Sequence, residues 1–124
     1  MPRPKKSRRV CSMPRVNSFG PLSNSGYEKE PVVMTVEEFE TIRLIDKEGL
    51  MQEDCADQMD VARTTVQRIY FEARKKIAEA LVEGKNIIIE GGNYKVCNKY
   101  QSPCGCPHCK RNMMKVQIEE VQHE

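Results

Sequence analysis

The chain has 124 residues, with 20 Lys and Arg against 18 Asp and Glu, six Cys and no Trp, which is one domain's worth of material. With 39% hydrophobic and 31% charged residues, the core is small and a large catalytic cleft is not expected. No run approaches the roughly 18 apolar residues of a membrane helix, and no apolar signal-peptide stretch follows the basic start, so a cytoplasmic protein without a membrane partner is expected.

Residues 1–34 read as a basic, Pro-rich arm: Pro2, Pro4, Pro14 and Pro21 lie among Gly, Ser and Asn, which disfavours a regular helix. A helical domain is predicted over residues 35–85. Thr35 and Glu38 spell a capping box, and Val36, Phe39, Ile42 and Ile45 recur at helical spacing until Gly49 supplies a stop. A second, short helix is expected from about Met51 to Met59, with Glu53 and Asp54 in its first turn. A third runs from about Arg63 to Val82, its buried stripe carried by Val66, Ile69, Tyr70, Ala73, Ile77, Ala80 and Leu81, and Gly84 ends it. The period then changes to that of strands. Asn86–Glu90 and Asn93–Cys97 flank Gly91 and Gly92, which predicts a two-stranded hairpin over residues 86–97. Residues 98–124 form a Cys-rich tail.

Charge is segregated along the chain. Residues 1–27 carry a net +6 from Arg3, Lys5, Lys6, Arg8, Arg9 and Arg15, residues 28–60 carry −8, and residues 61–85 return to +3. Clustered cations in two separate places suggest a polyanion partner, because Lys and Arg release counterions from phosphates. The alternative is that the basic head folds back on the acidic block, whose carboxylates otherwise read as a solvated helix face.

Residues 52–69, QEDCADQMDVARTTVQRI, have the pattern of two helices crossing through a short turn. Ala56 leaves room for the crossing, and Cys55, Met59, Val61, Val66 and Ile69 supply the facing apolar stripes. Asp60 occupies the turn, where positive φ is required and Asp is better tolerated than most residues. Arg63, Thr64, Thr65, Gln67, Arg68, Arg74 and Lys75 form the polar face of the third helix, with donors suited to phosphates and base edges. Its first turns would read bases through Arg63, Thr64, Gln67 and Arg68, whereas Arg74 and Lys75 would meet phosphates. The arm cations Arg3, Lys5, Lys6, Arg8 and Arg9 would add affinity without major-groove readout. The acids of the second helix would lie away from the DNA backbone.

The opening MPRPKKSRRVCSMP, the segment VMTVEEFETIRLIDKEGLMQEDCADQMDVARTTVQRI and the run ARKKIAEALVEGKNIIIEGGNY resemble the prokaryotic domain-of-unknown-function family 134, over about residues 1–95. That resemblance implies a DNA-binding protein with a helix-turn-helix similar to the fourth region of primary sigma factors. Where the family usually has Gly-Val-Ser at the turn, this chain has Asp60-Val61-Ala62, which removes a Ser cap from the third helix. The fold class expected is therefore mainly α: a three-helix, sigma-region-four-like domain with a small C-terminal β-hairpin and a Cys-rich metal knuckle.

Cys97, Cys104, Cys106 and Cys109 are spaced C-x6-C-x-C-x2-C among Pro103, Gly105 and Pro107. Four thiolates in so short a stretch can close a tetrahedral zinc shell, with Cys11 or His108 able to replace one of them. An iron–sulfur cluster uses the same ligand type but is the weaker reading. Cys55 is assigned to the core. Cys106-Pro107-His108-Cys109 also has thioredoxin-type spacing, but the βαβ context of that motif is missing.

No phosphate-loop pattern occurs, and no Ser or Cys has an evident base and orienting acid, so a non-enzyme is expected. The function read from the sequence is a DNA-binding transcriptional regulator. Double-stranded DNA, the transcription machinery and a second copy in a homodimer are its expected partners. The alternatives are a protein or RNA interaction module without sequence readout, or a metal or redox sensor using the tail thiols.

Overall fold

The computed structural model describes residues 7–23 and 28–97 and is mainly helical, with five short strands among the described residues. Thr35 begins the first helix as its spacing to Glu38 predicts. Glu38 N–H donates to Thr35 Oγ1 at 3.2 Å, and Thr35 N–H donates to the Glu38 carboxylate at 2.8 Å. The helix α1 spans Val36–Thr41 and then widens into a π-helical stretch, Ile42–Lys47, where Glu48 N–H reaches back five residues to Arg43 O at 2.9 Å. The widening rotates the later side chains away from the expected stripe. Leu44 takes the fully buried position, and Phe39, Ile42 and Ile45 are only half-buried. Gly49, at φ +82°, ends the run.

The second helix, α2, spans Gln52–Met59, and the third, α3, spans Arg63–Glu83. Asp60 adopts the left-handed conformation at φ 58° and ψ 48°, as the turn requires. Its N–H and that of Val61 return to Asp57 O and Ala56 O, which satisfies carbonyls at the end of α2 in a Schellman arrangement. Ala62 precedes α3 with no side-chain cap, in keeping with the missing Ser. Cys55, Ala56, Met59, Val66 and Ile69 are buried, and full burial of a side chain such as Val66 or Met59 contributes about 1.5–3 kcal/mol. Further along α3, Ala73 and Ala80 are buried and Ile77 half-buried. Leu81, expected in the stripe, is 80% exposed, because the inward row is already complete through Ile77 and Ala80. It stands at the rim of a shallow apolar groove with Phe19, Pro21 and Ile87.

The strands correct two expectations. The first concerns the arm, whose described residues belong to the fold: β1 is Arg8–Val10, β2 is Ser18–Phe19 and β3 is Val32–Met34. Val10, Cys11, Val32 and Met34 are buried. Alternation in Val32-Val33-Met34 faces two apolar side chains inward, and this burial outweighs the irregularity that Pro and Gly suggest.

The second concerns the hairpin. β4, Ile87–Ile89, and β5, Tyr94–Val96, form where predicted but do not pair with each other. β4 is the centre of a three-stranded sheet, antiparallel to β2 and parallel to β3, with Val33 opposite Ile88. β5 pairs in parallel with β1, with Val10 opposite Val96. The Gly-Gly pair does not fold into a tight turn; it carries the chain across the start of α1. Val36 N–H donates to Gly91 O at 3.1 Å, and Asn93 N–H donates to the Glu37 carboxylate. Gly92 has φ +110°, and a Cβ there would collide with the Glu37 carboxylate, so both conformation and space call for glycine.

Two apolar clusters result. One comprises Cys11, Leu44, Cys55, Ala56, Met59, Val66 and Cys97 beneath α2 and α3. The other comprises Val10, Met34, Val36, Ala73 and Ile89 between α1, α3 and the strands.

Candidate nucleic-acid interface

The first turns of α3 are held from behind by Val66, which is wholly buried, and Ile69, which is 7% exposed. That anchoring turns Arg63, Thr64, Gln67 and Arg68 outward, all four exposed, while Thr65 is half-buried. Arg74 and Lys75 are exposed two turns further on. The helix period thus divides the predicted contact residues from the packing residues as expected.

Neighbouring side chains modify this face. Arg63 Nη1 lies 3.1 Å from Glu53 Oε1 of α2, both exposed, so at least one acid of α2 stands beside these outward residues, contrary to expectation. Such a surface pair is worth at most about 1 kcal/mol and yields readily to a better anion. The Arg74 guanidinium lies over the Tyr70 ring at 5.4 Å, a cation–π contact that steadies its position. Tyr70 OH donates to Asp46 at 2.6 Å, and that hydrogen bond, with a smaller contribution from desolvation, pushes the phenol above its ordinary range. Lys76 points elsewhere and pairs with Glu38 at 2.6 Å.

Arg8 and Arg9 are not displayed as arm cations. Arg8 is buried, 3.9 Å from Glu37. Arg9 donates through Nε to Gln58 O at 2.8 Å and through Nη2 to Asp57 O at 3.2 Å, capping the C-terminal end of α2 where a cation suits the dipole. Arg8 and Arg9 therefore fold back on the protein, whereas Arg15 is exposed. Arg3, Lys5 and Lys6 lie outside the described residues.

The acidic block also departs from the solvated-face reading. Glu37, Glu38 and Glu40 are buried. Glu40 accepts from Cys11 N–H at 2.5 Å and from Arg43 Nε at 2.6 Å. These carboxylates and Arg9 are the residues that sequence reasoning missed. Only the capping box at Glu38 gave a local signal, since the other partners come from distant segments.

Of the tail thiols, Cys97 is described and 7% exposed, in the same cluster as Cys11 and Cys55. Cys104, Cys106, Cys109 and His108 lie outside the described residues. Among the described residues, no three His, Cys, Asp or Glu are grouped as a metal ion requires. Cys55 is a core thiol as expected: desolvation, reinforced by Glu40, pushes it up to about 12, and its Sγ lies 3.7 Å from Met59 Sδ. Among the described residues no helix is long and apolar enough to cross a membrane.

Residues 1–97 match the family described as protein of unknown function DUF134. A UPF0251 protein of Desulfitobacterium hafniense strain Y51 is 56% identical, over 91% of this chain and 92% of its own length. One from Caldicellulosiruptor bescii is 52% identical over 88% and 84%, and one from Caldanaerobacter subterraneus is 57% identical over 77% and 81%. No solved structure matches.

Proposed function

The chain belongs to the DUF134 family, and from its geometry we propose that it is a sequence-specific DNA-binding protein, a non-enzymatic regulator of transcription that acts in the cytoplasm. In this reading α2, the turn and α3 are a sigma-region-four-like helix-turn-helix, with α3 as the helix that enters the major groove. The observation that carries it is the division of α3: Val66 packs into the cluster with Cys55, Ala56 and Met59 of α2 and Ile69 is buried, while Arg63, Thr64, Gln67 and Arg68 face outward in the first two turns. That is the arrangement by which a second motif helix presents its N-terminal side chains to base edges. Gln67 can pair with adenine and Arg68 with guanine in bidentate fashion, each worth about 1–3 kcal/mol of discrimination.

Arg74 and Lys75, exposed two turns on, would follow the phosphate backbone. With Arg8 and Arg9 committed to internal partners, Arg3, Lys5, Lys6 and the exposed Arg15 remain as the arm cations that would track phosphates or enter a minor groove. Glu53, Asp54 and Asp57 are exposed along α2 and offer an acidic face to the transcription machinery. A homodimer would place two copies of α3 on a two-fold operator.

Selecting genomic fragments with the full chain, then comparing affinities for selected and random duplexes at fixed salt, tests the proposal. A regulator yields a recurring site bound at least about a thousandfold more tightly than random DNA. Equal affinities would replace it with an interaction module that has no sequence readout.

A further inference from the structure

Phe71, on the outer face of α3, is 65% exposed. It stands four residues after Gln67 and three after Arg68, both exposed. Thr64, Gln67, Arg68 and Phe71 thus fall at i, i+3, i+4 and i+7, which sets them along one side of the helix, a spacing at which recognition helices place base-contacting side chains. The row rises about 10.5 Å from Thr64 to Phe71 at about 1.5 Å per residue, and successive base pairs lie about 3.4 Å apart. A helix lying in a major groove about 12 Å wide carries such a row past about three base-pair steps, with Phe71 at its far end.

The surroundings of Phe71 decide between partners. Its neighbours one turn away on the helix surface are Gln67, Arg68, Arg74 and Lys75, all exposed. Three of these four are cations, and the Arg74 guanidinium is held over the Tyr70 ring. Two copies of this patch pressed together across a two-fold axis would bring like charges face to face, whereas a polyanion neutralises them. Leu81 and Val82, the exposed large apolar residues near the end of α3, lie about 15 Å further along the axis, with Arg74 and Lys75 between, so Phe71 is not the edge of a continuous apolar surface. Glu72 is offset by about 100° around the helix and does not interrupt the row.

We propose that Phe71 is a further specificity-determining residue of α3, one that reads thymine through its C5-methyl group. This rests on the major-groove role proposed for α3. In a paired duplex the major-groove edges of the bases present hydrogen-bond donors and acceptors, and the C5-methyl of thymine is the apolar group among them. A benzyl side chain neither donates nor accepts there, so its complement in the groove is that methyl. Contact removes apolar area of both ring and methyl from water, and burial of one methyl group is worth about fourfold in affinity. Gln67 and Arg68 contribute the polar half of the readout and Phe71 the apolar half.

The test uses the full chain and duplexes carrying its selected site, with each thymine in turn replaced by uracil, which lacks only the C5-methyl. For the unsubstituted protein one such replacement should weaken binding about fourfold. Phe71→Ala should bind the thymine duplex at least about fourfold more weakly, and should bind the thymine and uracil duplexes equally at that position, because ring and methyl are two halves of one contact. Phe71→Leu, which keeps an apolar side chain, should retain part of the preference for thymine. Full uracil sensitivity in Phe71→Ala, or a selected site at which no uracil replacement matters, would overturn the assignment even where Gln67→Ala and Arg68→Ala relax their own base pairs. So would a change in sedimentation between the unsubstituted chain and Phe71→Ala without DNA, which would give Phe71 to an interface between two copies. Failure of the wider reading looks different: the unsubstituted protein then binds selected and random duplexes alike, and the assignment of Phe71 falls with it.

Discussion

Two helices of this protein carry dense charge at helical spacing, and the fold treats them in opposite ways. The basic and amide side chains at the start of α3 stand in solvent, whereas Glu37, Glu38 and Glu40 of α1 are buried. The difference lies in what the rest of the chain brings to each. α1 is met by Arg8 from β1, Lys76 from α3, Arg43 from its own next turn, and the backbone amides of Cys11 and Asn93. Buried carboxylates persist where such partners meet them. Among Arg63, Thr64, Gln67 and Arg68 of α3, only Arg63 has a described ion-pair partner, the exposed Glu53. A run of charge is therefore an interior network or a surface for a partner according to whether distant counter-charges reach it.

The largest expected effect is at Glu40. Replacing it with Ala removes the acceptor of Cys11 N–H and takes from Arg43 its 2.6 Å partner, leaving the longer pairing with Glu48, and breaking a buried pair of this kind costs about 3–5 kcal/mol. Urea denaturation measures it, and a loss below about 1 kcal/mol would return α1 to the class of solvated faces. Gly92→Ala should follow at about 1–3 kcal/mol, because it imposes a side chain at φ +110° against Glu37.

The contrast sharpens between Arg9 and Lys75, two cations that a sequence treats alike. Arg9→Ala should cost about 1–2 kcal/mol of stability through the lost α2 cap. Lys75→Ala should change stability by less than about 0.5 kcal/mol but reduce the salt slope of DNA binding by about 1. The reverse pattern would exchange their roles.

A further effect is confined to alkaline pH. The Cys55 thiol has its folded pKa raised from 9.0 to about 12, so the folded state holds its proton where the unfolded chain loses it. Its contribution is fully present below about pH 9 and is lost as pH rises toward 12. Cys55→Ala should flatten that part of the stability profile, as monitored by equilibrium unfolding between those pH values.

What was legible in the sequence was local. The capping box at Thr35 and Glu38, the left-handed Asp60, the Gly84 stop and the inward row of α3 each follow from residues a few positions apart. What was not legible depends on partners far along the chain. The Gly91-Gly92 pair suggests a hairpin because pairing β4 with β5 is the local solution, yet the stable partners are β2, β3 and β1. Lys76 reaches Glu38 from 38 residues away, and no periodicity in α1 announces it. The π-helical stretch likewise shifts the apolar stripe by a step that a fixed period cannot anticipate.

The readout assignment on α3 is the central claim, and one measurement addresses it most directly: base-pair-resolved binding preferences of the full chain and its Gln67→Ala, Arg68→Ala and Lys75→Ala variants on a library built around the selected site. Gln67→Ala and Arg68→Ala should each lose discrimination at one or two defined base pairs, by about 1–3 kcal/mol, while Lys75→Ala should bind every sequence more weakly with its preferences intact. Equal, uniform losses for all three, or none, would contradict it and leave the exposed face of α3 without a reading role.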